Sequence, residues 1–270
     1  MRYFAGIDMG STAIKIALVD QQGSLSGHTV VPTGSFFQKN TLEALQLLLR
    51  ERGIERSDVA YLLSTGYGRK LLPEADETIS EITANAAGAR AIAGSAAIRT
   101  IINIGGQDSK VLLLDADGHI RNFVMNDKCA AGTGRFLEMT ARNLGTDVGE
   151  LGNLHCRSSG APLSITSTCT VFAESEIISL LARGHGKEEL VAGVHYSIAR
   201  RIVRLARQIG IEDRVFFDGG PALNSGMVAA LEDELMLQVV VPAAPQLTTA
   251  IGAATLARTA WIDTGEQVNA

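Results

Sequence analysis

Two kinds of residue in this 270-residue chain stand in patterns that can do chemistry: cysteines ahead of helical segments, and carboxylate–lysine pairs around glycine-rich turns. Cys129 lies in Met125-Asn126-Asp127-Lys128-Cys129-Ala130-Ala131-Gly132-Thr133-Gly134-Arg135, and Cys169 in Ser167-Thr168-Cys169-Thr170-Val171-Phe172-Ala173-Glu174. Each is predicted to sit just before a helix. A helix N-terminus carries unpaired N–H groups and partial positive charge, so it lowers a thiol's pKa and favours thiolate as ligand or nucleophile. Taken singly, each cysteine reads rather as a small buried hydrophobe, and it is the shared context of the two that shifts the balance. Two thiolates cannot complete a site that needs four, and the simplest completion is a two-fold dimer sharing one centre. The third cysteine, Cys156, falls in the loop-like His155-Cys156-Arg157-Ser158-Ser159-Gly160 and reads as incidental. Three cysteines make no disulfide framework.

The glycine turns point to phosphate. Asp8-Met9-Gly10-Ser11-Thr12-Ala13-Ile14-Lys15 and Asn103-Ile104-Gly105-Gly106-Gln107-Asp108-Ser109-Lys110 combine backbone that can approach an anion with polar tips. Ser11 and Thr12 add hydroxyl donors, Lys15 and Lys110 add positive charge, and Asp8 and Asp108 are hard ligands suited to Mg²⁺. A third cluster, Phe217-Asp218-Gly219-Gly220-Pro221, joins a strand to a helix and can admit a nucleoside or its α-phosphate. Neither G-x-x-x-x-G-K-[ST] nor G-x-G-x-x-G occurs, so the two commonest nucleotide folds are not indicated. One such turn alone is ordinary structure; three together describe a phosphate-binding cleft.

The elements that must position these residues repeat. Residues 3–20 and 101–115 align without a gap at an offset of 95, each a β-hairpin followed by an Asp-x-x-Gly turn, Asp20 to Gly23 and Asp115 to Gly118. Any two hairpins look somewhat alike, but matching Gly, Lys and Asp argue for duplication of a whole lobe. Helices are predicted from a capping box at Asn40-Thr41-Leu42-Glu43 to Gly53, over 80–93, over 187–209, over 222–236 and over 248–260. Val215-Phe216-Phe217 and Val239-Val240-Val241 read as short buried strands. Strands alternating with helices in two related halves predict an α/β chain of two lobes around a cleft, residues 1–95 and 96–270, with the C-terminal helix packing back on the first lobe.

Composition sets the outer limits. With 46% apolar and 20% charged residues the chain is an ordinary globular one, and a net charge of −5 without long basic runs excludes electrostatic capture of nucleic acid. No apolar run reaches the length of a membrane helix, and Asp8 stands where a signal peptide needs its apolar stretch, so a cytoplasmic location is expected.

The first turn with Gly6 and Ile7, the second turn, and Asp218-Gly219-Gly220-Pro221-Ala222 resemble the two phosphate loops and the adenosine motif of the actin, sugar kinase and 70-kDa chaperone ATPase superfamily, whose fold is ribonuclease H-like. The cysteine segments narrow the likeness. With Thr65-Gly66-Tyr67-Gly68-Arg69 and Ala250-Ile251-Gly252-Ala253-Ala254, they resemble the activator component of 2-hydroxyacyl-CoA dehydratases and the ATPase subunits of benzoyl-CoA reductase, from Gly6 to about Ala257.

That resemblance implies an actin-like ATPase that passes a low-potential electron to a dehydratase or reductase. Cys129 and Cys169 from each of two subunits, identical or related, would hold one 4Fe-4S cluster. Ser11, Thr12, Ala13, Ile14 and Lys15 would grip ATP or ADP with Gly105, Gly106 and Gln107, while Gly219, Gly220 and Gln246 would flank the nucleoside. Asp8, Gln107 and Asp108 would serve hydrolysis with Mg²⁺, and ferredoxin or flavodoxin would supply the electron. A small-molecule kinase or an ATP-dependent sensor would use the same loops without a cluster. Two departures stand out: Asn103 replaces the aspartate usual at the head of the second loop, and Pro221 a valine of the adenosine motif.

Overall fold

A computed structural model describes residues 1–94, 98–166 and 169–268, and it divides into two compact units, Met1–Ala97 with Gln246–Ala270, and Ile98–Pro245. The lobe boundary expected at residues 95 and 96 lies outside the described residues.

In the first unit the chain runs β1 (Tyr3–Met9), β2 (Ala13–Asp20), β3 (Leu25–Pro32), α1 (Phe37–Arg52), β4 (Val59–Thr65), β5 (Glu77–Thr78) and α2 (Glu81–Ala93). The sheet order is β3-β2-β1-β4-β5, with β1 antiparallel to β2 and parallel to β4. Alternate side chains of a strand face opposite ways. Ile7, Ile14 and Ile16 accordingly meet Leu45 and Leu48 of α1, while Phe4, Ala17 and Leu63 meet Ala84 of α2 and Ala250, Ala253 and Ala257 of the C-terminal helix, Thr248–Val268.

That last helix packs at backbone distance. A Cβ added at Gly252 would stand 1.7 Å from the Ala84 carbonyl oxygen, and one at Gly6 would stand 2.1 Å from that of Ala250. The Ala250–Ala254 motif is therefore a packing surface. Helix α1 begins at Phe37, three residues before the predicted capping box: Asn40 instead donates to the Thr33 carbonyl, 2.8 Å away, and no side chain caps the start. Gly53 closes the helix in the left-handed region, as its position predicted.

The second unit repeats the plan with β6 (Thr100–Ile104), β7 (Ser109–Leu114), β8 (Ile120–Asn126), α3 (Gly134–Leu144), α4 (Leu151–Arg157), α5 (Thr170–Ala182), α6 (Lys187–Ala206), β9 (Val215–Asp218), α7 (Ser225–Leu235) and β10 (Val239–Val240). Its sheet order is β10-β9-β6-β7-β8, the counterpart of the first. The C-terminal helix is α8. Ile102, Ile104 and Phe217 bury against Phe136 of α3, Val194 and Ile198 of α6 and Met227 of α7. The helix expected over 222–236 is divided: a 3₁₀ turn, Gly220–Leu223, precedes Asn224, whose side chain caps α7 by accepting from the Met227 N–H.

Candidate functional site

Each unit holds its glycine-rich turn by the carbonyls. In the first, the Thr33 N–H donates to the Thr12 carbonyl at 3.0 Å and the Thr33 hydroxyl to that of Gly10 at 2.6 Å. In a planar trans peptide the N–H points opposite to the C=O, so these bonds turn the Ser11 and Ala13 N–H groups away from Thr33. In the second, the Gly134 and Arg135 N–H groups, at the start of α3, donate to the Gly105 and Gly106 carbonyls at 2.9 and 3.0 Å. The Gly106 and Gln107 N–H groups are thereby aimed away from α3. Two separate anchors thus produce the same result, rows of backbone donors presented for an anion.

The lysines are held by carboxylates. Lys15 lies directly across the β1–β2 ladder from Asp8, 3.0 Å from its Oδ2, and Lys110 stands 2.8 Å from Asp108 Oδ1. In the second unit the residue opposite the lysine is Asn103, whose amide donates at 2.6 Å to the buried Asp218. The unusual asparagine thus spares Asp218 a second carboxylate at contact distance. Thr65-Gly66-Tyr67-Gly68-Arg69 backs the first loop. Gly66 (φ +87°) would drive a Cβ to 2.4 Å from Asp8 Oδ1, and the Gly68 N–H donates to the Met9 carbonyl at 2.9 Å.

Not every glycine of the motifs faces a ligand. Gly6 is required by α8, and Gly219 (φ +93°) by the Ile104 carbonyl oxygen, 2.1 Å from its ideal Cβ, whereas a Cβ on Gly220 meets nothing within 4 Å. Gln246 sits half-buried in a 3₁₀ turn, Pro245–Leu247. Two buried hydroxyls at the first loop, those of Thr12 and Thr65, have no hydrogen-bond partner among the described residues, as befits a loop built to receive a polar ligand. Sequence reasoning missed Thr33; a threonine just past a strand carries no signal of the turn it will brace.

None of the three cysteines is in a disulfide. Cys169 caps α5 with extended backbone, as expected. Thr168 and Ser167 lie outside the described residues. Cys129 instead precedes a 3₁₀ turn, Ala130–Gly132, because Thr133 is where the backbone re-enters extended geometry before α3. Helices α3 and α5 pack on each other. Two half-buried thiols, each at the N-terminus of a helical segment, are a donor set that fits an iron-sulfur centre. Cys156 is corrected from loop to helix: it lies in α4, exposed, with Sγ 3.8 Å from Ser225 Oγ.

Beside it, His155 and His195 stack with Nδ1 atoms 2.9 Å apart. Because Asn224 accepts from Met227 N–H through Oδ1, its amide donates to His195 Nε2 at 3.1 Å, so His195 carries its proton on Nδ1 and gives it to His155. Burial pushes His195 down to about 3, and the neighbouring His155 pushes the same way.

Two mixed five-stranded sheets of one plan, each with a glycine turn in its first hairpin, define an actin-like nucleotide-binding fold. Residues 5–257 match the BadF/BadG/BcrA/BcrD ATPase family, and the chain belongs to it. It is 44% identical to the 2-hydroxyisocaproyl-CoA dehydratase activator of Clostridioides difficile, covering 93% of each chain. It is 43% identical to the activator of lactoyl-CoA dehydratase of Anaerotignum propionicum, covering 93% of this chain and 96% of that one. The solved structure of the Clostridium difficile 2-hydroxyisocaproyl-CoA dehydratase activator with bound ADPNP superposes with a TM-score of 0.92 at 42% identity, over 98% of this chain and 97% of that one.

Proposed function

We propose that this chain is an ATP-hydrolysing activator that passes a low-potential electron to a 2-hydroxyacyl-CoA dehydratase or a related acyl-CoA reductase. It would work in the cytoplasm as a homodimer and take its electron from a ferredoxin or flavodoxin. Membership of an ATPase family and activator relatives at 43 and 44% identity support the class. The observation that carries the reading is the pair of bonds from the Gly134 and Arg135 N–H groups to the second phosphate loop, because α3 is the helix that follows Cys129. A change in Gly105 and Gly106 on nucleotide binding must be felt by the segment holding that thiol.

In this reading Ser11, Thr12, Ala13, Ile14, Lys15, Gly105, Gly106 and Gln107 hold the phosphates, and Gly219, Gly220 and Gln246 the nucleoside. Gln107 orients the attacking water. Asp8 pairs with Lys15 and Asp108 with Lys110, and these carboxylates would hold a hydrated Mg²⁺, which would offset phosphate charge. Cys129 and Cys169 of both subunits would hold one 4Fe-4S cluster, which supplies one-electron reduction at very low potential. A second copy is also supported by α5, which follows Cys169: Val171, Phe172 and Ile178 are exposed on an apolar helix that buries only Ala173 and Ile177 among hydrophobic side chains.

Anaerobic reconstitution with iron and sulfide tests the assignment. Wild type should bind about four iron per dimer, and Cys129→Ala or Cys169→Ala should lose the iron and the brown colour while keeping ATP affinity. Full iron retention in both variants would overturn it.

A further inference from the structure

Position 14 of the first hairpin is an isoleucine buried in the core; its counterpart in the second, Ser109, is a serine just as buried, at 1% exposure. Its hydroxyl has no hydrogen-bond partner among the described residues, although a buried polar group left unpaired is costly. Ser109 is among the residues around an open cavity of about 300 Å³, with Asn126, Cys129, Arg201, Arg204 and Gln208. A single water needs only roughly 10–15 Å³ of such space. Gly132 keeps the floor open: a Cβ there would stand 3.8 Å from Ser109 Oγ and 3.4 Å from the Asn126 amide nitrogen.

The lining is one-sided in charge. It offers two guanidinium groups, a hydroxyl, a thiol and two amides, and no carboxylate. Successive side chains of a strand point to opposite faces, so Ser109 looks away from the side on which Lys110 meets Asp108.

We propose that this cavity is a binding site for a small tetrahedral oxyanion, inorganic phosphate, separate from the phosphate loops and entered beside Cys129. Ser109 and the arginines of α6 provide the donors. Identifying the phosphate as the hydrolysis product rests on the proposed ATPase activity; the site itself does not.

Calorimetric titration of inorganic phosphate into the anaerobically purified full-length protein, saturated with ADP and then nucleotide-free, tests this. Saturable binding is expected in both states, with acetate much weaker. Charge-assisted hydrogen bonds set the scale, so Ser109→Ala and Arg204→Gln should each weaken phosphate at least about ten-fold, and Arg204→Gln should leave ADP affinity unchanged. Ser109→Ala should melt no lower than wild type without phosphate, since it removes an unpaired hydroxyl, and should lose the gain in melting temperature that phosphate gives the wild type. Absence of phosphate binding, or binding unaltered in both variants, would show a cavity holding water only or occupancy of the loops, and would overturn the site. Failure of ADP to bind would count against the nucleotide reading alone.

Discussion

Asn103 shows how much one side chain decides at this site. Its amide joins Asp218, which is fully buried, and the cross-strand neighbour Lys110 turns to Asp108. Restoring the aspartate familiar from related ATPases should therefore harm the fold: Asn103→Asp sets two carboxylates side by side, raising one pKa above its unfolded value. That stability is lost as pH rises through the raised pKa, so the variant should be destabilised by about 1–3 kcal/mol at pH 8 and recover toward pH 5, measured by urea denaturation. Equal stability of variant and wild type at pH 8 would contradict this. Motif residues were legible in the sequence because their types carry the chemistry; what Gly6 and Gly219 avoid was not, since Ala250 and Ile104 lie far along the chain from them.

Among elements, the hairpins and most helices could be read directly, down to the Gly53 stop; the helix read over 80–93 begins at Glu81, since Ser80 is its cap, with a side chain that accepts from the Thr83 N–H. The errors share a cause. Asn40 has the local form of a cap, but tertiary structure employs it on Thr33, and His155 and Cys156 look like loop until α6 and α7 supply a surface for a short helix to cover. The His155–His195–Asn224 chain pins α4, α6 and the start of α7, with Asp233 of α7 the acidic group facing His155. Because His195 takes a proton near 6.5 when unfolded and only at about 3 when folded, the unfolded state binds more protons between those values. Stability should be full above about pH 6.5 and fall on acidification by up to about 1.4 kcal/mol per pH unit. A His195→Asn variant should show a shallower acid slope in melting temperature; an unchanged slope would remove His195 as its source.

At the scale of the molecule the duplication is visible in atoms. Asp20 Oδ1 accepts from the Gln22 and Ser24 N–H groups, and Asp115 Oδ1 from those of Asp117 and His119. The family's fold was therefore legible in the repeat, while the path of the chain between units depended on where α8 finds a partner. The single tryptophan, Trp261 of α8, lies 5.6 Å from the Phe4 ring and so reports on the first unit. Phe4→Ala, at a position 1% exposed, should lower the stability read by tryptophan emission in urea by about 3–5 kcal/mol. An unshifted transition would mean that the emission follows some other event. The assignment of α8 to the first unit also sets an order for synthesis. The second unit is one unbroken stretch, complete when residue 245 emerges, whereas the first must wait through it for its last helix. At bacterial-to-eukaryotic elongation rates that wait is roughly 10–30 s. For that time the nascent sheet presents Phe4, Ala17 and Leu63 with only α2 and its Ala84 against them, a surface for a ribosome-bound chaperone to shield.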